Sequence, residues 1–202
     1  MTAPRRTWMR RALWLAAPAL LLSGAPVEAH LVTTGLGPVY DGISHFLASP
    51  EDLVPVLVLA LLAGQCGPET ARRVVFALPL AWLIGALVGL AAAVAPLPAL
   101  TWLTFILLGG LVAAHIQLPG ASVGALATVL GLFNGLINGS AISSAGGSTI
   151  TLTGIVATVF VVTVLAAAAA IAFTWPTVKI AFRVLGSWTA ATGLLLLGWS
   201  LR

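Results

Sequence analysis

Four residues able to do chemistry fall within twelve positions: Asp41, His45, Glu51 and Asp52. Three carboxylates and one imidazole form a ligand set for a divalent transition metal. Asp41 and His45 are four apart, so on a helix the carboxylate can orient the imidazole, as acids behind metal-bound histidines do. His30 is a further candidate ligand. If it opens the mature chain, its free amine and its imidazole can chelate one ion through two nitrogens. A structural reading stands beside each of these. Ser49-Pro50-Glu51-Asp52 also reads as a helix start, with Ser49 as N-cap, Pro50 at N1 and Asp52 as the N3 acid of a capping box. Acids in a first turn suit the helix dipole. His30 needs no role beyond following a cleavage site. His45 has no comparable structural assignment.

A second polar group lies far along the chain. Asn134 and Asn138 are four apart, so on a helix both amides share one face. Exposing an amide to lipid is costly, so both are expected to face a bundle interior, either bonded to a neighbouring helix or lining a substrate path. Gly131, Gly135 and Gly139 recur at the same interval, and Gly85 and Gly89 make a similar pair. Small residues at that spacing let helix backbones approach closely in lipid, which makes helix packing their expected role. His115, beside Gln117, reads as interfacial, and Cys66 as a small apolar residue. One cysteine excludes an internal disulfide and a Cys-rich metal site.

The elements that must hold these residues follow from composition. The 202 residues are 60% hydrophobic and 7% charged, with a mean hydropathy of +1.11. A soluble domain carries roughly 25% charged residues, which excludes a water-soluble enzyme. The net charge of +4 rests on few charges, and Arg5, Arg6, Arg10 and Arg11 supply four of the nine cations. No basic stripe remains for a nucleic acid. Those arginines, the apolar residues 12–22 and the small residues Val27 and Ala29 read as a cleavable signal peptide over residues 1–29. The expected fold is therefore an all-α integral membrane protein, with a single six-helix transmembrane domain over residues 30–202 in a bacterial inner membrane.

Six spans are expected at about 50–66, 73–95, 99–117, 121–139, 150–174 and 179–200, each near the ~20 apolar residues a bilayer requires. Gly67-Pro68, Pro96 with Pro98, Pro119-Gly120, Gly146-Gly147 and Trp175-Pro176 separate them. Signal cleavage puts His30 outside. The loops carrying Arg72, Arg73, Lys179 and Arg183 then fall inside, as the positive-inside rule requires, and both termini of the mature chain lie outside. Residues 30–49 form a short polar outer segment. His30 to Tyr40 reads as irregular, and Asp41 is placed to cap a short helix over residues 42–48.

With the residues in this order, the chain resembles the HupE/UreJ family of hydrogenase and urease accessory membrane proteins. The first family motif is approximately G-x-x-H-P-x-x-G-x-D-H-L, and Gly42 to Leu53 fits it in register. Gly42, His45 and Leu53 match, Glu51 stands for the family aspartate and Asp52 for its histidine. The second is approximately H-G-x-A-H-G, and Asn134-Gly135-Leu136-Ile137-Asn138-Gly139 fits it. Both glycines match, and asparagine replaces both outer histidines. The resemblance implies a nickel or cobalt permease serving metalloenzyme maturation. The three replaced histidines shift the donors from imidazole towards oxygen, which suits harder ions.

Two functions are open on the sequence. One is a divalent-metal permease with the outer cluster as entry and the Asn134/Asn138 face as path. No Walker A loop is present, so transport would be facilitated or coupled to an ion gradient. The other is a non-transporting accessory or scaffold protein. No enzyme and no tightly bound cofactor are expected, only a metal ion held transiently. The expected partners are the lipid bilayer and a further copy or an accessory protein, with no nucleic acid.

Overall fold

The computed structural model describes residues 34–201 apart from residues 93 and 96. The predicted signal peptide, its cleavage point, His30 and Arg202 lie outside the described residues. Among the described residues there is no strand, and seven helices follow one another: α1 Pro38–Ala48, α2 Pro50–Gln65, α3 Pro68–Ala91, α4 Pro98–Ala113, α5 Gly120–Ser144, α6 Thr151–Ala172 and α7 Pro176–Ser200.

Proline sets most of the starts. α1, α2, α3, α4 and α7 each carry a proline in the first turn. That position needs no N–H bond, and the fixed φ of proline suits a helix. Gly37 and Gly67 precede two of these prolines at φ 106° and 107°. This left-handed backbone suits glycine, and it lets the chain turn sharply into a new helix.

Each of the six expected helices has a counterpart, but several boundaries differ. The first expected break, Gly67-Pro68, also starts the next helix, so α3 begins at Pro68 rather than near residue 73. α5 continues past Gly139 to Ser144 because Ser140 and Ser144 both find partners, one on the segment after α3 and one on the preceding turn. Ser144 donates to the Ser140 carbonyl at 2.8 Å, and Ser140 Oγ accepts from the Val94 N–H at 2.9 Å. Residues 38–41 are helical, not irregular. Pro38 opens α1, and Asp41 lies inside its first turn instead of capping it.

Crossing capacity also differs from the expected count of six. Four helices, α3, α5, α6 and α7, are long and apolar enough to span a bilayer. α1 and α2 pass that test only together, across a 74° bend at Ser49. α4 has 16 residues, about 24 Å at 1.5 Å per residue, against a hydrocarbon core of about 30 Å.

α2 is the central helix and touches all six others. Val56, Leu59, Ala60, Leu62 and Ala63 along it are fully buried. Around it α3 packs on α5, α4 on α7, and α1 on α6. α3 and α5 run in the same direction, and their glycines interlock. A Cβ on Gly131 would meet the Leu78 carbonyl oxygen at 2.6 Å, and Cβ atoms on Gly135 and Gly139 would run into the carbonyls of Trp82 and Ala86. In return Gly85 and Gly89 face the carbonyls of Leu132 and Leu136. All five glycines thus lie against main chain of the facing helix. Leu136 itself, whose carbonyl faces Gly89, is half-buried. A second lock binds α1 to α6: Gly42 lies under the Thr151 carbonyl and Gly154 under that of Val39.

Candidate metal-ion site

The 74° bend at Ser49 decides where the polar residues go. α1 ends against α6, and α2 turns into the bundle with Asp52 in its first turn. Ser49 occupies the N-cap position but makes no side-chain cap. Its hydroxyl donates instead to the His45 carbonyl at 2.8 Å, and its N–H goes to the Phe46 carbonyl. The predicted capping box therefore does not form.

The Asp52 carboxylate is instead bonded across the bundle. It is 5% exposed, and its Oδ2 accepts from Asn138 Nδ2 at 2.9 Å, across 86 positions of sequence. The same Nδ2 also donates to the Asn134 carbonyl at 3.0 Å. Asn134 and Asn138 are each 4% exposed, as their shared face requires. The His45 imidazole, also buried, lies beside the Asn138 amide. Glu51, half-buried, is near enough for its charge to act on both His45 and Asp52. The two polar segments of the sequence thus form one site inside the bundle.

Two of the site's polar atoms are enclosed without a hydrogen-bond partner, Asn134 Nδ2 and Asn138 Oδ1. Leaving a buried donor or acceptor unpaired costs on the order of 1–3 kcal/mol. Such groups persist at functional positions. Asn138 Oδ1 is an available oxygen donor beside one carboxylate and one imidazole. Among the described residues no three His, Cys, Asp or Glu side chains are grouped to hold a metal ion. The donor groups gathered at this place are the Asp52 carboxylate, the His45 imidazole and the Asn138 amide oxygen.

Asp41 departs from the outer cluster. Its Oδ1 accepts from the Thr34 N–H at 2.6 Å and from the Thr34 hydroxyl at 2.7 Å. The segment before α1 folds back over it, so Asp41 serves Thr34 and not the His45 imidazole four residues on. His115 lies in the turn after α4 at φ 53° and is exposed. Cys66 closes α2 in contact with the Ile116 carbonyl.

The sequence reading missed Trp82. It is fully buried on α3, packs edge-on against Phe46 with ring centroids 5.8 Å apart, and leaves Nε1 unpaired. A tryptophan in mid-span is a signal in itself, because that side chain prefers the membrane interface. Its carbonyl is the one that Gly135 packs against, and its ring lies on Phe46, the residue after His45.

Neither a curated protein nor a solved structure matches this chain. The sequence profile of the HupE / UreJ protein family matches residues 18–196, which include α1 through most of α7 and both halves of the site. The chain belongs to the HupE / UreJ family.

Proposed function

We propose that this protein is a permease for a divalent transition-metal ion, with Asp52, His45 and Asn138 as the point of passage. The observation that carries the reading is the buried Asp52 carboxylate, paired across the bundle with an asparagine from another helix. An ionisable group within a bundle of membrane-spanning helices is expensive and is by default functional. A capping role does not account for it, since Ser49 makes no side-chain cap. Family membership adds nickel and cobalt as reference ions. Two strong ligands and an amide oxygen favour a passing ion over a resident one, because a path must release what it binds.

The full proposal has six crossings in a bacterial inner membrane, with α1 and α2 sharing the first. Residues 1–29 are removed, and both ends of the mature chain lie outside. Arg72, Arg73, Lys179 and Arg183 then face the cytoplasm, in keeping with the positive-inside rule.

The deciding experiment is accumulation of nickel, cobalt, zinc, copper and manganese in cells with and without the chain. At least one metal is expected to rise. No response from any of them overturns the permease and leaves an accessory protein of metalloenzyme maturation. Orientation is checked separately. Mass spectrometry of the purified chain should give His30 as its first residue, and a reporter fused after Arg202 should be active outside. A retained 1–29 segment or an internal reporter signal overturns the topology.

A further inference from the structure

α2 carries a second polar site at its other end. There α2, α6, α7 and the α4–α5 turn enclose a pocket of about 220 Å³. Its polar wall is Gln65, His115, Thr174 and Lys179, and its apolar wall includes Ile171 and Phe182. Gln65 Oε1 is enclosed there and accepts no hydrogen bond. The terminal torsion of the amide is broad, so that oxygen is free to rotate to a ligand in the pocket. Cations predominate around it. Arg72, Arg73, Lys179 and Arg183 are all the lysines and arginines among the described residues, and all lie at this end. Glu69 pairs with Arg72 at 3.2 Å and with Arg73 at 4.0 Å, so Lys179 in the pocket wall and Arg183 beside it carry the net positive charge. Arg183 Nε donates to the Ala113 carbonyl at 2.9 Å, tying α7 to α4 beside the pocket. Trp175, 70% exposed, stands in the α6–α7 turn, where a membrane interface suits it.

These features do not suit a metal cation, which the Lys179 ammonium repels. They suit a group with an anion to meet Lys179, a hydrogen-bond donor to meet Gln65 and a hydrocarbon portion to lie along Ile171 and Phe182. We propose that this pocket binds the headgroup of an anionic phospholipid, its phosphate on Lys179 and a headgroup hydroxyl on Gln65 Oε1. Basic pockets between helices at the cytoplasmic face of a bilayer take such headgroups. The assignment does not depend on the permease reading, because it uses none of the residues of the Asp52 site.

The test is lipid titration of the purified full-length protein, followed by native mass spectrometry. The probes are phosphatidylglycerol, phosphatidylmethanol, which keeps the anionic phosphodiester but has no hydroxyl, and inorganic phosphate. Phosphatidylglycerol is expected to bind, and Lys179→Ala to weaken it about fivefold while Lys179→Arg retains it. The wild-type protein should prefer phosphatidylglycerol to phosphatidylmethanol by about fivefold, the value of one net hydrogen bond. Gln65→Leu should erase that preference and leave phosphatidylmethanol binding as it was. All variants should elute as the wild type does on size exclusion. Wild-type binding by Lys179→Ala, equal binding of the two lipids by the wild type, or displacement of the lipid by millimolar inorganic phosphate would each overturn the assignment.

Discussion

Asp52→Asn should lower accumulation of the transported metal at least about tenfold, at matched membrane levels, because it removes the site's buried carboxylate. The substitution is nearly isosteric. The new side-chain oxygen can still accept from Asn138 Nδ2, so the 2.9 Å cross-bundle bond and the fold are retained. Loss of transport with unchanged thermal stability therefore separates charge from structure. His45→Ala should give a loss of similar size. Protons compete for the same imidazole and carboxylate, since a ligating histidine must be neutral and an aspartate ionised. Wild-type accumulation should thus fall as external pH is lowered, and Asp52→Asn should flatten the part of that dependence owed to the carboxylate. Asp52→His restores the family residue and should raise the preference for nickel over manganese, because imidazole is the softer donor. Wild-type accumulation by both His45→Ala and Asp52→Asn would sink this site as the path.

Gly135→Leu should destabilise the protein by about 3 kcal/mol or more, at the upper end of overpacking costs. Even the first added carbon would collide with the carbonyl oxygen of Trp82. Neither that oxygen nor Gly135 can move without separating α3 from α5, so a change of rotamer offers no relief. The matched control is Val129→Ala on the same helix, where the side chain is 66% exposed. Its effect should stay within about 0.5 kcal/mol. The measurement is thermal unfolding in one detergent, with expression level as a second readout. Equal tolerance of the two changes would refute the interlock. Gly135→Leu should also reduce metal accumulation, because separating α5 from α3 moves Asn134 and Asn138 away from α2.

Much of this architecture was legible because lipid imposes few solutions. Apolar length and proline-glycine breaks located the helices, and a four-residue interval marked the faces of Asn134, Asn138 and the glycines. The errors have physical causes. A proline that looks like a stop is equally a first-turn residue, so Pro38 and Pro68 begin helices earlier than apolar length alone indicates. Serines late in α5 can satisfy their own hydroxyls on the preceding turn, so polarity did not end that helix. The cluster of acids was misleading for another reason. Nearness in sequence says nothing about which side of a bend a side chain takes, and Asp41 bonds Thr34 while Asp52 crosses to Asn138. The family motifs supplied both halves of the site, but their meeting depends on the 74° bend at Ser49; Ser49-Pro50 marked a new helix start there, and nothing in the sequence set its angle.

At five points the contact between α3 and α5 sets a glycine against peptide groups of the facing helix. Such a surface has no rotamers to freeze, so the two helices associate without the side-chain entropy loss of roughly 0.5–1 kcal/mol that each buried leucine or isoleucine would incur. The same property removes a route of adaptation. A conventional core can absorb a change in one side chain by adjusting its neighbours, whereas here the neighbours are main chain and identical at every residue type. Drift at Gly85, Gly89, Gly131, Gly135 and Gly139 should therefore be confined to the very smallest residues, while Asn134 and Asn138 on α5, which hold no part of this main-chain contact, can exchange one polar side chain for another without disturbing how the two helices meet.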